Sequence, residues 1–368
     1  MKIIYTGGGT GGHFYPLMAV SEQVRKLVYK NKLVFPIEYY FSSKNTYSEM
    51  LSSKNIKYSW IPSGKNRLYF SLLNFTDVFK LAFGVIVAFF KLLFIYPDVI
   101  FSKGGYDSLP TCFAAFILRI PIIMHDSDSV PGRASLLVSR FAYRIAVSYE
   151  ESIKYFKYID KIAYTGQPIL EKYTPPTDFE RAYNENPRKN ILVMGGSSGS
   201  SKINDAILAI LPQILGRYNL IHQVGDDNLE DIKSRTSVIL KDYNAEAYAA
   251  YGSLDFSKIY PSVDIVVTRA GSSLFEIASW QLPSIVIPIS EQVSRDQTSN
   301  ANVFYRKGMS HTINENNLSP NLLLSLISDI VDNKEEYKKM VNACKNISNK
   351  NAGEIIANEI IEICYSHR

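Results

Sequence analysis

The residues best suited to chemistry in this chain are two glycine-rich turns and the polar side chains beside them. Gly7-Gly8-Gly9-Thr10-Gly11-Gly12-His13 follows the short run Lys2–Thr6, and Gly195-Gly196-Ser197-Ser198-Gly199-Ser200 follows Ile191–Met194, about 190 residues later. Each reads as strand, bare-backbone loop, helix start. A helix N-terminus offers unpaired N–H groups and a partial positive charge, and missing side chains let a phosphate approach closely. Two such units could hold a nucleotide donor on one half and an acceptor on the other. His13 would sit at a helix start, where its imidazole could take a proton from a hydroxyl near neutral pH. It could also simply cap the turn.

Further motifs sit where strands are expected to end. Gly7-x-Gly9-x-x-Gly12 formally matches a dinucleotide fingerprint, but that site also wants an acid at the end of the second strand. Here the second strand ends Phe41-Ser42-Ser43-Lys44, which argues against a dehydrogenase. Gly104-Gly105-Tyr106 follows Val99–Ser102, and His125-Asp126-Ser127-Asp128 follows Ile122–Met124. Asp126-x-Asp128 could pair on a metal, yet hard cations take several oxygen ligands and no third acid is near. Arg269-Ala270-Gly271-Ser272 opens another strand-turn-helix. Arg269 could face a diphosphate and Glu276 could accept hydrogen bonds from two ribose hydroxyls, or either could form a plain ion pair. Asp296, Gln297 and Asn300 could read sugar hydroxyls or cap a helix.

Parallel sheets must position these loops. Apolar runs at 37–41, 99–101, 122–124 and 145–147, then at 191–194, 219–223, 265–268 and 284–287, alternate with helical patterns. Such alternation predicts an α/β protein with two Rossmann-like parallel-sheet domains facing an interdomain cleft, with ligands at the carboxyl ends of strands. The predicted division is an N-terminal domain over 1–170, a proline-rich charged linker over 171–190, and a C-terminal domain over 191–349. A last helix, about 350–368, is expected to pack back on the first domain.

The chain has 368 residues, 46% hydrophobic and 20% charged, enough for two globular cores. A net charge of +5 is too mild to argue for nucleic acid, but suits anionic lipid or phosphate ligands. Cys112, Cys344 and Cys364 lack metal spacing and read as reduced thiols of a cytosolic protein. No secretion signal is expected. Asp77–Tyr96 is unusually apolar, although Lys91 interrupts it short of the roughly 20 residues a bilayer span needs. On a helix Asp77, Lys80, Gly84 and Lys91 fall within about 60° of one another; the rest of the circumference must be covered by protein or by a membrane surface. The basic and aromatic stretch Lys65–Phe70 upstream suits a lipid interface.

Taken in order, these blocks resemble the MurG-type peptidoglycan glycosyltransferases of family 28, within the GT-B superfamily. The resemblance also rests on Pro16, Lys103, Pro131-Gly132, Thr165-Gly166-Gln167-Pro168 and Ala301, and runs across nearly the whole chain. It implies inverting transfer of GlcNAc from UDP-GlcNAc to the C4 hydroxyl of MurNAc in undecaprenyl-diphosphate-MurNAc-pentapeptide. The enzyme would act peripherally at the cytoplasmic face of the cell membrane, on an anionic surface, without cofactor or metal. His13 would be the base. Gly9, Thr10, Gly11 and Gly12 would cradle the acceptor diphosphate, with Tyr106 and His125 beside it. Gly196, Ser197 and Ser198, helped by Arg269, would hold the leaving diphosphate. Glu276 would bind the ribose, while Asp128, Ser272 and Gln297 would read GlcNAc hydroxyls. The chain departs from the family in placing Leu170 where an Arg is common, with Lys172 a candidate substitute. Arg269 and Glu276 are also seven residues apart, one fewer than the family pattern. Related readings are a transferase acting on diacylglycerol, a UDP-GlcNAc epimerase, and a catalytically dead scaffold, which the intact glycine loop and His13 disfavour.

Overall fold

The computed structural model describes residues 1–8, 10–64, 72–196, 199–243, 245–289, 295–345 and 351–366, and the backbone alone at 72–75, 245 and 295–296. The chain forms two compact units, one of Met1–Glu171 with Asn349–Arg368 and one of Lys172–Ser348.

The first unit runs β1 (Lys2–Thr6), α1 (Gly11–Lys30), β2 (Ile37–Ser42), α2 (Ser48–Ser53), β3 (Lys57–Trp60), α3 (Leu72–Ile95), β4 (Val99–Ser102), α4 (Leu109–Ile117), β5 (Ile122–Asp126), α5 (Arg133–Val138), β6 (Arg144–Val147) and β7 (Ile162–Tyr164). Its described strands form one sheet in the order β3-β2-β1-β4-β5-β6-β7, each pair parallel. The central strands are buried on both faces, as parallel sheets covered by helices require; Ile3, Ile4, Tyr5, Val99, Ile100 and Phe101 are fully enclosed. The order reverses between β1 and β4, where Thr6 lies beside Ser102. Such a reversal leaves a crevice at the strands' carboxyl ends, so the first glycine turn and Lys103-Gly104-Gly105 meet there.

The second unit repeats the plan with β8 (Asn190–Met194), α6 (Ser201–Ala209), α7 (Leu211–Arg217), β9 (Asn219–Gln223), α8 (Leu229–Ile239), β10 (Tyr248–Tyr251), β11 (Ile265–Thr268), α9 (Ser273–Ser279), β12 (Ser284–Val286), α10 (Arg295–Arg306), β13 (Ser310–Thr312), α11 (Pro320–Val331) and α12 (Lys334–Lys345). Its order is β10-β9-β8-β11-β12-β13, and the reversal at β8/β11 brings the second glycine turn beside Arg269. The final helix, α13 (Ala352–Ser366), packs on α1 of the first unit. Of the stretch 171–190, whose prolines and charges read as a linker, the residues from Lys172 on belong to the second unit. The Arg181 guanidinium donates to the carbonyls of Trp280 (2.8 Å), Val263 (2.7 Å) and Tyr260 (2.9 Å). Four strands escaped the sequence reading: β3, β7, β10 and β13. Each is three or four residues long and partly exposed, so none shows a buried apolar run.

Helix α3 is built inside out relative to an ordinary surface helix. Asp77, Gly84, Ala88 and Lys91 face the protein, while Lys80 points to solvent. Lys91 Nζ donates to Ser59 Oγ and to the Trp60 carbonyl, both at 2.8 Å, Asp77 is buried, and Ala88 and Leu92 are enclosed against α4. Val78, Phe79, Phe83, Ile86, Phe90 and Phe94 are each more than half exposed. A mostly buried helix is therefore excluded. Thr76–Ile95 is long and apolar enough by composition to cross a membrane, running past the expected break at Lys91, whose ammonium is turned inward to hydrogen bonds.

Gly84 is where α3 meets the backbone after β3, because a Cβ there would fall on the Pro62 carbonyl oxygen. Alanine ordinarily improves a helix by about 1 kcal/mol over glycine. Here Gly84→Ala is expected instead to lower stability by roughly 1–3 kcal/mol through overpacking, read as a drop in Tm; a raised Tm would contradict the close approach.

Candidate active site

In the first unit the site begins with Thr10, which holds an extended backbone (φ −106°, ψ 155°) and turns the chain into α1 at Gly11 and Gly12. Its hydroxyl does not cap the helix backbone but lies 2.9 Å from His13 Nδ1. If Nδ1–H donates to this oxygen, Nε2 is left as the ring's proton acceptor. The imidazole lies between two glycines: a Cβ on Gly8 would sit 3.2 Å from Nδ1, and one on Gly105 3.5 Å from Nε2. Burial, and then the Lys103 ammonium, lower its pKa from 6.5 to about 4, against the carboxylates of Asp128 and Asp107. The ring is therefore neutral at pH 7 and has a lone pair to offer.

Asp128 lies in this same unit and acts electrostatically on His13, Lys103 and Asp126. Its N–H donates to Asp126 Oδ1 at 2.9 Å. Burial and the neighbouring Asp128 raise Asp126 to about 6. Among the described residues no group of three His, Cys, Asp or Glu side chains is placed to hold a metal. Tyr106 begins a single helical turn after Gly105 and lies half-buried against the core. Gly9 falls outside the described residues.

His125 departs from expectation. It is fully enclosed, with Nε2 3.0 Å from the Gly166 carbonyl and 3.2 Å from Ser148 Oγ. As the fourth residue of β5 it is held inside the unit by these bonds. Gln167 likewise serves the scaffold: its Oε1 accepts from Ser127 (2.8 Å) and Ser148 (2.7 Å), tying the loop after β5 to the Thr165–Pro168 block. The sequence reading gave no role to Lys103 or Asp107. Asp107 accepts from Ser42 Oγ (2.6 Å), the Ser43 N–H (3.1 Å) and the Ser63 hydroxyl, and so gathers the ends of β2 and β3. The legible signal for Lys103 was a lysine set directly between a buried strand and a glycine pair.

In the second unit Gly196 adopts φ +92° and Gly199 φ +74°, a region only glycine enters freely. The Gly196 carbonyl accepts from the Gly199 N–H (2.9 Å) and from Gln223 Nε2 (3.0 Å), which also donates to Gly252 at 3.0 Å. Ser200 caps α6 through the Ile203 N–H at 3.4 Å. Ser197 and Ser198 lie outside the described residues.

Arg269 also requires correction. Instead of facing open space for a diphosphate, its buried guanidinium donates to the Ile287 carbonyl (3.0 Å), Ser200 Oγ (2.5 Å) and Glu315 Oε1 (2.6 Å). A buried charge must be paired, and Glu315, itself bound by Lys202 at 3.0 Å, pairs it. Arg269 thus braces the cap of α6 rather than offering a free cation. Ser272 immediately precedes α9, and Glu276 lies on that helix's first turn. The Tyr260 hydroxyl donates to Glu276 Oε2 at 3.4 Å. Gln297 Oε1 accepts from the Ile289 N–H at 3.1 Å, and buried Asn300 donates to the Ala270 carbonyl at 3.2 Å. Leu170 is buried, and Lys172 pairs with Asp255 at 3.5 Å.

Burial raises Glu276 from 4.5 to about 7, opposed by Tyr260 and Lys172. Between pH 4.5 and 7 the folded state therefore holds a proton that the unfolded state has released, so this group's contribution falls as pH rises, by at most about 3 kcal/mol. Glu276→Gln should flatten the stability profile across that window in denaturant melts; an unchanged slope would contradict the raised value.

The N-terminal domain of glycosyltransferase family 28 matches residues 3–147, and its C-terminal domain residues 190–356. A Clostridium perfringens protein named UDP-N-acetylglucosamine--N-acetylmuramyl-(pentapeptide) pyrophosphoryl-undecaprenol N-acetylglucosamine transferase is 38% identical over 351 residues, 94% of each chain. The chain belongs to glycosyltransferase family 28. A second family-28 relative, from Bacillus anthracis and named as transferase 2 of the same kind, is 34% identical over 98% of this chain and 99% of its own. The family-28 fold is matched by the crystal structure of Acinetobacter baumannii MurG, with TM-score 0.75, 21% identity, and 98% and 99% coverage. A Neisseria meningitidis UDP-GlcNAc 2-epimerase bound to UDP-GlcNAc shares the architecture at TM-score 0.68 and 15% identity, over 98% of this chain and all of its own. As a member of family 28 this protein is a glycosyltransferase of GT-B type.

Proposed function

We propose that this enzyme transfers GlcNAc from UDP-GlcNAc to the C4 hydroxyl of MurNAc in undecaprenyl-diphosphate-MurNAc-pentapeptide, inverting the anomeric centre. The observation that carries the reading is the near-full-length similarity, at 34–38% identity, to transferases named for this reaction. His13 takes the proton of the acceptor hydroxyl as its oxygen attacks the anomeric carbon. The C1–O bond to the diphosphate breaks on the opposite face, and UDP leaves with the bonding pair. Gly9 to Gly12 hold the acceptor diphosphate, and Tyr106 lines the approach. Gly196, Ser197 and Ser198 receive the charge on the departing diphosphate. Preorganised N–H dipoles aimed at developing charge are usually the largest catalytic term. Glu276 accepts from the ribose, and Ser272, Gln297 and Asp128 read the sugar.

The same proposal places the enzyme peripherally at the cytoplasmic face of the membrane. The support is the outward apolar face of α3, since an exposed patch of this kind ordinarily marks an interaction surface. The net charge of +5 suits an anionic bilayer.

The test is transfer of labelled GlcNAc by the purified protein to the lipid-diphosphate acceptor, to diacylglycerol, or to water, each with and without EDTA. Label in the first product alone, insensitive to EDTA, is expected. Transfer to diacylglycerol only, or UDP release without acceptor, would reject the reading.

A further inference from the structure

Lys103 occupies an unusual position for a lysine. It directly follows β4, its N–H donates to the Thr6 carbonyl at 2.8 Å, and it is 2% exposed. Its Cβ sits where a Cβ on Gly7 would approach to 3.0 Å, under the start of the first glycine turn. The ammonium donates to Ser127 Oγ in the loop after β5, and that same Ser127 hydroxyl is held by Gln167 at 2.8 Å. One buried cation thus stitches together the ends of β1, β4 and β5, the three strands whose loops carry His13, Gly105 and Asp126–Asp128.

We propose that Lys103 is a positioning residue for His13: a fixed internal ammonium that orders the Asp126–Asp128 loop and sets the charge the imidazole feels. This rests on the reading of His13 as the base. Around the imidazole stand Lys103 beyond β4, Asp107 beyond Gly105, and Asp128 beyond β5, with Thr10 on Nδ1. Around the ammonium stand Asp126, Asp128 and His125. Burial lowers Lys103 to about 8, still charged at neutral pH, with both aspartates opposing the shift. In the free enzyme burial leaves His13 unprotonated at neutral pH, and this cation adds to that effect. When a diphosphate occupies the glycine turn, its negative charge offsets the ammonium, and the imidazole binds a proton more tightly just when the acceptor hydroxyl must release one.

The experiment is an NMR titration of the His13 ring, its signal assigned by loss in His13→Ala, in wild type, Lys103→Met, Lys103→Gln and Lys103→Arg, alone and with inorganic pyrophosphate. The His13 midpoint is expected near 4 in wild type. It should rise by about one pH unit in the two neutral variants and stay close to wild type in Lys103→Arg, as a single charge at short range in a protein interior allows. Pyrophosphate should raise the wild-type midpoint. The acid limb of the transfer rate should move with the titration. A merely structural lysine would lower Tm and leave the midpoint where it was; that result, or Lys103→Arg shifting as far as the neutral variants, would overturn the proposal. Lys103→Gln keeps a polar partner for Ser127 should Lys103→Met not fold. The titration needs no acceptor, so a wild type that fails to transfer GlcNAc would reject the functional reading separately.

Discussion

His13→Ala should lower kcat for GlcNAc transfer by about 10²- to 10⁴-fold, the usual contribution of a positioned general base, while Kd for UDP-GlcNAc stays unchanged. The split follows from where His13 lies. It belongs to the first unit, held by Thr10 and flanked by Gly8 and Gly105, whereas the residues proposed to hold the nucleotide belong to the second, and of the proposed sugar contacts only Asp128 shares its unit. A rate within a few-fold of wild type would remove His13 as the base. Thr10→Val should produce a smaller loss, because it frees the ring without removing it. Below pH 4 the imidazole becomes protonated, so transfer should fall on the acid side in wild type and lose that dependence in His13→Ala.

Phe83→Asp combined with Ile86→Asp should weaken binding to vesicles of anionic phospholipid by about 100-fold or more. Each side chain is more than half exposed, so the fold loses little. In a bilayer each would bury most of an apolar side chain worth about 1.5–3 kcal/mol, and a charge there costs more still. Vesicle co-sedimentation gives the partition, and transfer to a short-chain, water-soluble acceptor should persist. Unchanged partitioning would show that α3 meets something other than lipid.

Much of the arrangement was legible because it is local. Glycine turns after apolar runs mark strand-loop-helix units, since only a bare backbone lets a chain reverse tightly and still offer N–H groups to an anion. The strands at 99–102 and 191–194 were likewise clear from their buried apolar runs. Residues whose role depends on a distant partner were not clear. Arg269 looked free because Glu315 lies 46 residues away, and nothing in either segment marks the pairing. His125 looked like a ligand residue because it ends an apolar run, yet Gly166, 41 residues on, fixes it inside.

The sequence by itself determined the two-fold βαβ plan, the glycine turns and the excess apolar surface of residues 77–96, because short-range pattern and backbone chemistry suffice for these. The tertiary structure decided which strands became neighbours, and so which loops meet at β1/β4 and β8/β11. It also decided that α3 turns Lys91 inward and its phenylalanines outward. Periodicity names a helix's faces, but only packing against the chain around β3 and α4 selects which one is buried.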